Sequence, residues 1–191
     1  MNELKTIPIY HLGSKKSVPR PYSAEEMKFA WALLHERGNA RVRFAVAITE
    51  EAGLRLGEIC QLRVQDIDVV AQRCFLRGPN MTTRERYGFF GNKTKLCFEE
   101  LLNERDPGLG HDALLYNALK NPYRAPMLID EISRTLCKTH RDRLVNETGF
   151  DRWNMHRLRH TCACNLVSGS ADMKTVMTNG GWKLTGLRWA K

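Results

Sequence analysis

A helical periodicity that gives way once, between Val64 and Phe90, constrains the fold of this chain more than any other feature. There, Cys74-Phe75-Leu76 reads as a strand, Gly78-Pro79-Asn80 as a turn and Arg84–Phe90 as a return strand, with Val64–Val70 extended beside them. Together they predict a small antiparallel sheet. On either side, apolar residues recur at helical spacing. Ser23 and Glu26 make a capping box for a helix with the stripe Met27, Ala30, Trp31 and Leu34, ended by Gly38-Asn39. A helix over Arg41–Glu51 turns Val42, Ala45, Val46 and Thr49 inward until Gly53 interrupts it, and a short helix follows over Leu56–Leu62. Past Gly91 the pattern predicts helices over Lys95–Glu104 (Leu96, Phe98, Leu101, Leu102), Asp112–Leu119, Asp130–Asn146 and Met155–Val167. A last short helix is capped by Asp172 and ends at Asn179-Gly180-Gly181. The fold class is therefore α+β and mainly α-helical, a small antiparallel sheet packed on a helical bundle.

A chain of 191 residues is long enough for one full core. Residues 1–21, with Pro8, Gly13, Pro19, Pro21 and the cluster Lys15, Lys16 and Arg20, read as a basic linker or arm ahead of a domain over 22–191. Apolar runs fall short of the roughly 20 residues of a membrane span, and the first residues lack a signal-peptide core. A cytoplasmic, nucleoid-associated protein with no membrane partner is expected. The 6 cysteines show no Cys-x-x-Cys pair and read as reduced, mostly buried thiols. Thirty Lys and Arg against 21 Asp and Glu leave a net charge of +9, which points to a polyanion, nucleic acid first.

Three pieces carry chemistry: Glu51-Ala52-Gly53-Leu54-Arg55-Leu56-Gly57-Glu58-Ile59, then His156-Arg157-Leu158-Arg159-His160-Thr161, then Gly180-Gly181-Trp182. His156 and Arg159 share one helical face. Arg55 follows a glycine at a helix break, and Trp182 offers an indole N–H. Two guanidiniums and an imidazole brought together make an oxyanion pocket, because arginine forks onto phosphate oxygens and stays charged. Such a group stabilises a pentacoordinate phosphorane by pre-set charge. No cofactor is expected, and no carboxylate cluster suggests a metal. Taken singly, each piece has an ordinary reading: a solvated arginine, a polar helix face, a core tryptophan.

In this order, the three pieces resemble the catalytic domain of the tyrosine recombinases, the phage integrase family. The family's Thr-Gly-Leu-Arg-x-x-Glu motif stands here as Ala52-Gly53-Leu54-Arg55-Leu56-Gly57-Glu58, with Leu62 and Asp66-Ile67-Asp68 behind it. Its His-x-Leu-Arg-His-Thr motif stands as His156–Thr161, and its Gly-His or Gly-Trp pair as Gly181-Trp182. The resemblance implies the fold of DNA breaking-rejoining enzymes, duplex DNA as partner, and other recombinase protomers assembled on that DNA. It also implies strand exchange for integration or excision, through a 3′-phosphotyrosine. Arg55 and Arg159 would clamp the non-bridging oxygens. His156 would serve as acid/base or hydrogen-bond donor, Trp182 would donate to the phosphate or pack the pocket, and Glu58 and His160 would support them.

Two positions depart from the family. Its turn lysine, the acid for the leaving 5′-oxygen, aligns with Met81, which has no proton to give; Lys93 and Lys95 are the substitutes nearest in sequence. Its nucleophilic tyrosine should fall about nine residues past Trp182, a family spacing, where Lys191 stands; the last tyrosine is Tyr123. The domain thus reads as truncated before its nucleophile. The alternative is a catalytically inactive, truncated remnant acting as a DNA-binding or partner-binding module. A third reading, a generic basic helical RNA binder, lacks a clustered aromatic stacking motif of the RNA-module kind.

Overall fold

The computed structural model describes residues 20–78, 85–105, 112–115, 132 and 153–182. Most of the basic arm, the turn with Met81, nearly all of Asp130–Asn146 and Lys191 lie outside the described residues.

Helix α1 (Ala24–Arg37) starts on the expected capping box, with the Glu26 N–H donating to Ser23 Oγ at 3.2 Å and the Ser23 N–H to Glu26 Oε2 at 2.7 Å. Asn39 caps α2 (Ala40–Ala52) through the Val42 N–H, and Gly53 ends it in the left-handed conformation, φ 64°. From Val42 to Thr49 every residue of α2 is buried, so this helix is the axis of the core. Its Phe44 meets Phe98 with ring centroids 5.9 Å apart, and α2 is flanked by α4 (Asn92–Asn103) and α5 (Met155–Ser168). The buried Arg43 reaches Glu100 of α4 through two hydrogen bonds of 2.8 and 2.6 Å. A buried charge of this kind is tolerated because its partner fits the guanidinium fork. Helix α3 (Leu56–Cys60) is a short turn after the Gly53 bend, and α6 (Met173–Gly180) is capped by Asp172, as expected.

The three-stranded antiparallel sheet has the order β1 (Ile67–Asp68), β2 (Arg73–Leu76), β3 (Arg86–Phe89). Its register places Phe75 opposite Tyr87 and Cys74 opposite Gly88. Cys74 and Gly88 face the core, while Tyr87 and Phe89 face out.

Four expectations need correction. Val64–Val70 is not one extended run: Val64–Asp66 is a 3₁₀ turn, closed by the Arg63 N–H donating to Asp66 Oδ2 at 2.9 Å. Asp68 then accepts from the Ala71 N–H and ends the strand. Helix α4 begins at Asn92, not Lys95, because Glu51 Oε2 of α2 accepts the N–H groups of Gly91 and Thr94, each at 2.9 Å. A carboxylate from a distant helix supplies the cap. Leu96, assigned to the inner stripe of α4, is 64% exposed, and Cys97 points inward instead. Asp112 does not open a helix: Ala113 bridges Arg63, and the Leu114 N–H donates to Leu62 O at 2.9 Å.

Among the described residues no helix is long and apolar enough to cross a membrane, and no group of His, Cys, Asp and Glu is arranged to hold a metal. The described cysteines are all free thiols, and burial drives the Cys74 and Cys162 thiols up to about 12.

Candidate phosphate-binding site

Two left-handed glycines build the site. Gly53 bends the chain between α2 and α3, which brings Arg55 to the surface. Gly181, φ 63°, ends α6 and leaves the carbonyls of Gly180 and Gly181 pointing out of the helix. A Cβ on Gly53 would stand 2.8 Å from the Trp182 ring, and one on Gly181 would stand 2.7 Å from Arg86 Nε. Both positions therefore need glycine for conformation and for space. Phe89 ties α6 to the sheet, its N–H donating to Asn179 Oδ1 at 2.6 Å.

Three guanidiniums converge on this corner. Arg55 donates from Nη1 to Glu58 Oε1 at 3.1 Å and from Nη2 to Gly181 O at 3.2 Å. Its backbone N–H reaches Glu58 Oε2 at 2.8 Å. Arg159, on α5, donates to Gly53 O and, at 2.6 Å, to Gly180 O. Its Cζ lies 4.3 Å from the centroid of the Trp182 ring. Arg86, on β3, grips Glu58 with two parallel bonds of 3.0 and 3.1 Å and reaches Gly180 O at 3.2 Å. The carbonyl end of α6 attracts all three by its partial negative charge.

Arg55 and Arg159 are not equivalent. The Arg55 side chain is 45% exposed and faces solvent, whereas that of Arg159 is 3% exposed, enclosed by Trp182 and the two carbonyls. Three guanidiniums around the single carboxylate of Glu58 leave two positive charges in excess. The electrostatics follow. Burial and then the Arg55 charge push Arg159 down to about 9, still protonated at neutral pH. Burial alone would raise the Glu58 carboxyl, but the Arg86 hydrogen bonds, the Arg55 N–H and the nearby guanidinium charges hold it below its usual value. Among the described residues, this excess of positive charge in a part-buried corner makes it a candidate anion site.

His156 stands exposed in the first turn of α5, three residues before Arg159, its N–H taken by the cap residue Asn154 at 2.8 Å. His160 follows one turn later, partly buried, with its ring 3.8 Å from Cys164 Sγ. Burial, then the neighbouring His156, lowers its pKa. Lys93 is placed elsewhere: its ammonium pairs with Glu50 at 2.9 Å and lies 4.9 Å from the centroid of the Trp31 ring. Lys95 sits on α4, half-buried. Neither is gathered with the three arginines.

The sequence motifs do not contain Arg86. Its signal was available in the strand alternation, which puts Arg86 on the inward face with Gly88. An inward arginine demands a carboxylate.

The family model described as the phage integrase family matches residues 23–186. Tyrosine recombinase XerC of Listeria monocytogenes serotype 4b (strain F2365) is 26% identical over 184 residues, covering 92% of this chain and 58% of the relative. The XerC of Staphylococcus aureus (strain JH9) is 26% identical over 180 residues, covering 90% and 56%. The chain thus spans little more than half the length of these relatives. Among solved structures, the XerA recombinase superposes with a TM-score of 0.69 at 19% identity, covering 85% of this chain and 56% of that one. The Tn1549 transposon integrase, in complex with circular intermediate DNA, gives 0.72 at 17% identity, covering 92% and 65%.

Proposed function

Because the chain belongs to the phage integrase family, its model matching residues 23–186, we propose that it is the part of a site-specific DNA recombinase that grips duplex DNA and holds the scissile phosphate. The observation that carries this reading is the meeting of Arg55, Arg159 and Arg86 around one carboxylate, with positive charge in excess. A phosphodiester carries one negative charge, and the phosphorane formed on attack carries two, so the excess charge matches the transition state better than the ground state. Arg55 is the guanidinium that meets the phosphate first. Arg159 adds its field from behind and keeps N–H groups to offer beyond the two given to carbonyls. His156, exposed on α5 three residues before Arg159, donates to the phosphate or moves a proton at the leaving oxygen. Trp182 walls the pocket, and Glu58 and His160 support it.

In the recombination reaction, a tyrosine oxygen attacks the phosphorus, a 3′-phosphotyrosyl ester forms and the 5′-oxygen leaves with a proton. The 5′-hydroxyl of a second strand reverses these steps and joins the new partner. The partners implied are duplex DNA and further recombinase protomers. A second reading, in which these 191 residues bind DNA without cutting it, is supported by Met81 at the family's lysine position and by Lys93 being paired with Glu50.

Fluorescence anisotropy with a labelled duplex tests the proposal. The wild-type chain is expected to bind with a steep salt dependence, and Arg55→Ala to bind several-fold more weakly. Equal affinity for single-stranded RNA, with no effect of Arg55→Ala, would leave only a generic basic protein. A suicide duplex nicked beside the cleavage position separates the two readings: a covalent adduct formed by this chain would overturn the second.

A further inference from the structure

Arg86 lies outside every motif that points to the phosphate pocket, yet its side chain donates three hydrogen bonds there, against two each from the side chains of Arg55 and Arg159. Resting on that pocket reading, we infer that Arg86 is a positioning residue: through Glu58 it holds Arg55 in the orientation that meets a phosphate.

The geometry gives the chain of contacts. Arg86 Nη1 donates to Glu58 Oε1 at 3.0 Å and Nη2 to Oε2 at 3.1 Å, a parallel fork that fixes the plane of the carboxylate. The two oxygens so fixed are the ones that hold Arg55, Oε1 through Nη1 and Oε2 through the backbone N–H. Glu58 is thus pinned by the sheet on one side and pins Arg55 on the other. Arg86 is also shared with α6: its Nη2 reaches Gly180 O, the carbonyl that Arg159 Nη2 also uses. The fork on Glu58 is its main grip, because Arg159 holds the same carbonyl more closely, at 2.6 Å against 3.2 Å for Arg86, and does not depend on Arg86 for its place.

Arg86 itself is poorly placed to touch a ligand. Its side chain is 13% exposed against 45% for Arg55. Packing for stability alone does not account for it either. Its Nε is buried and has no hydrogen-bond partner among the described residues, and it adds a third positive charge around a single carboxylate. A side chain chosen for stability would leave no orphan donor and no surplus charge. The arrangement tolerates both because Nη1 and Nη2 are needed where they are. Lysine does not replace this: an ammonium is one point charge and does not hold both oxygens of a carboxylate in plane.

The test uses the 191-residue chain, inorganic phosphate as probe, and NMR of the arginine Nε–Hε groups. Phosphate is expected to shift the Arg55 signal in the wild type and to bind at least tenfold more weakly to Arg55→Ala. Arg86→Met and Arg86→Lys are both expected to move the Arg55 signal before phosphate is added and to weaken phosphate about tenfold. Adding either to Arg55→Ala is expected to change nothing further, since Arg86 acts through Arg55. If Arg55→Ala leaves phosphate binding unchanged, the pocket reading falls and this inference with it. If Arg55→Ala weakens binding but both Arg86 variants leave the Arg55 signal and the affinity at wild-type values, the pocket stands and the inference is wrong. Full rescue by Arg86→Lys, or losses that add in the double variants, would show that charge or direct contact, not positioning, is what Arg86 supplies. Should Arg86→Met fail to give a dispersed spectrum, Arg86→Lys, which keeps the charge, decides the question.

Discussion

Arg159 and Trp182 are stacked, the guanidinium carbon 4.3 Å from the ring centroid. The indole covers the face of a cation whose edge is bonded to Gly53 O and Gly180 O. Three sequence pieces far apart in the chain meet in this one contact. Burial would otherwise make Arg159 costly to keep charged, and the negative face of the ring offsets part of that cost.

Replacing Trp182 with Ala is therefore expected to destabilise the chain by about 1–2 kcal/mol, the range of a desolvated cation–π contact. It should also open Arg159 to solvent. Urea denaturation gives the first quantity, and hydrogen exchange at the Arg159 guanidinium the second. Trp182→His, the family's other residue at this position, should cost less than Trp182→Ala.

Gly53→Ala is expected to be worse than its size suggests. The new methyl meets the Trp182 ring at 2.8 Å, and the backbone must hold φ 64° with a side chain attached. Each effect costs on the order of 1 kcal/mol, and the first also displaces Trp182 from Arg159. A fall in Tm together with weaker duplex binding is the expected pair of results. Gly57→Ala, where a Cβ would meet nothing within 4 Å, is the control and should leave the fold intact.

Much of this was legible in local sequence, and the limits have physical causes. Ser23 and Glu26 announce α1 because a capping box is a contact within four residues. Gly53 and Gly181 announce their bends for the same reason. The start of α4 was missed because its cap is Glu51, 40 residues before Gly91. The break in Val64–Val70 was missed because Asp66 and Asp68 fold back on their own backbone. At the site, the motifs name Arg55, Glu58, Arg159 and Trp182, which hydrogen bonds and ring contact link in one corner. Arg86 did not stand out, because its meaning lies in a carboxylate 28 residues away. Nor did the sequence distinguish the open Arg55 from the enclosed Arg159, since burial depends on how α6 ends.

Glu58 gives the stability a defined pH dependence. Its folded pKa is held below the unfolded value by Arg86 and Arg55. The resulting stability is fully present above the unfolded pKa, about 4.3 for a glutamate, and is lost as pH falls through the lower folded value. Between pH 7 and 5 the wild type should be flat in this respect, with the loss beginning below about pH 4. Glu58→Gln removes the carboxylate that the three arginines share and should cost about 3–5 kcal/mol at pH 7. Its stability curve should then lack the acid limb that belongs to this residue. Urea titrations of both proteins from pH 3 to 7 compare the two curves.

Tyr22 sets the start of the helix that carries His156. Its ring stacks on Trp153 at 5.0 Å and 10°, and the Arg157 guanidinium lies 4.0 Å from its centroid on α5. Its hydroxyl accepts the N–H of Asn154 at 2.9 Å, and Asn154 in turn caps α5 through the N–H groups of His156 and Arg157. Tyr22→Phe keeps the stack and removes the hydroxyl, so the Asn154 N–H loses its partner at a cost of about 1 kcal/mol. The loss falls on the cap. Amides of His156 and Arg157 are expected to exchange faster in Tyr22→Phe, while those of the buried centre of α2 keep wild-type protection relative to global stability. Unchanged exchange at His156 and Arg157 would mean that Asn154 holds its cap without Tyr22. Tyr22→Leu, which also removes the stack and the cation–π contact, should then cost about 1–2 kcal/mol beyond Tyr22→Phe.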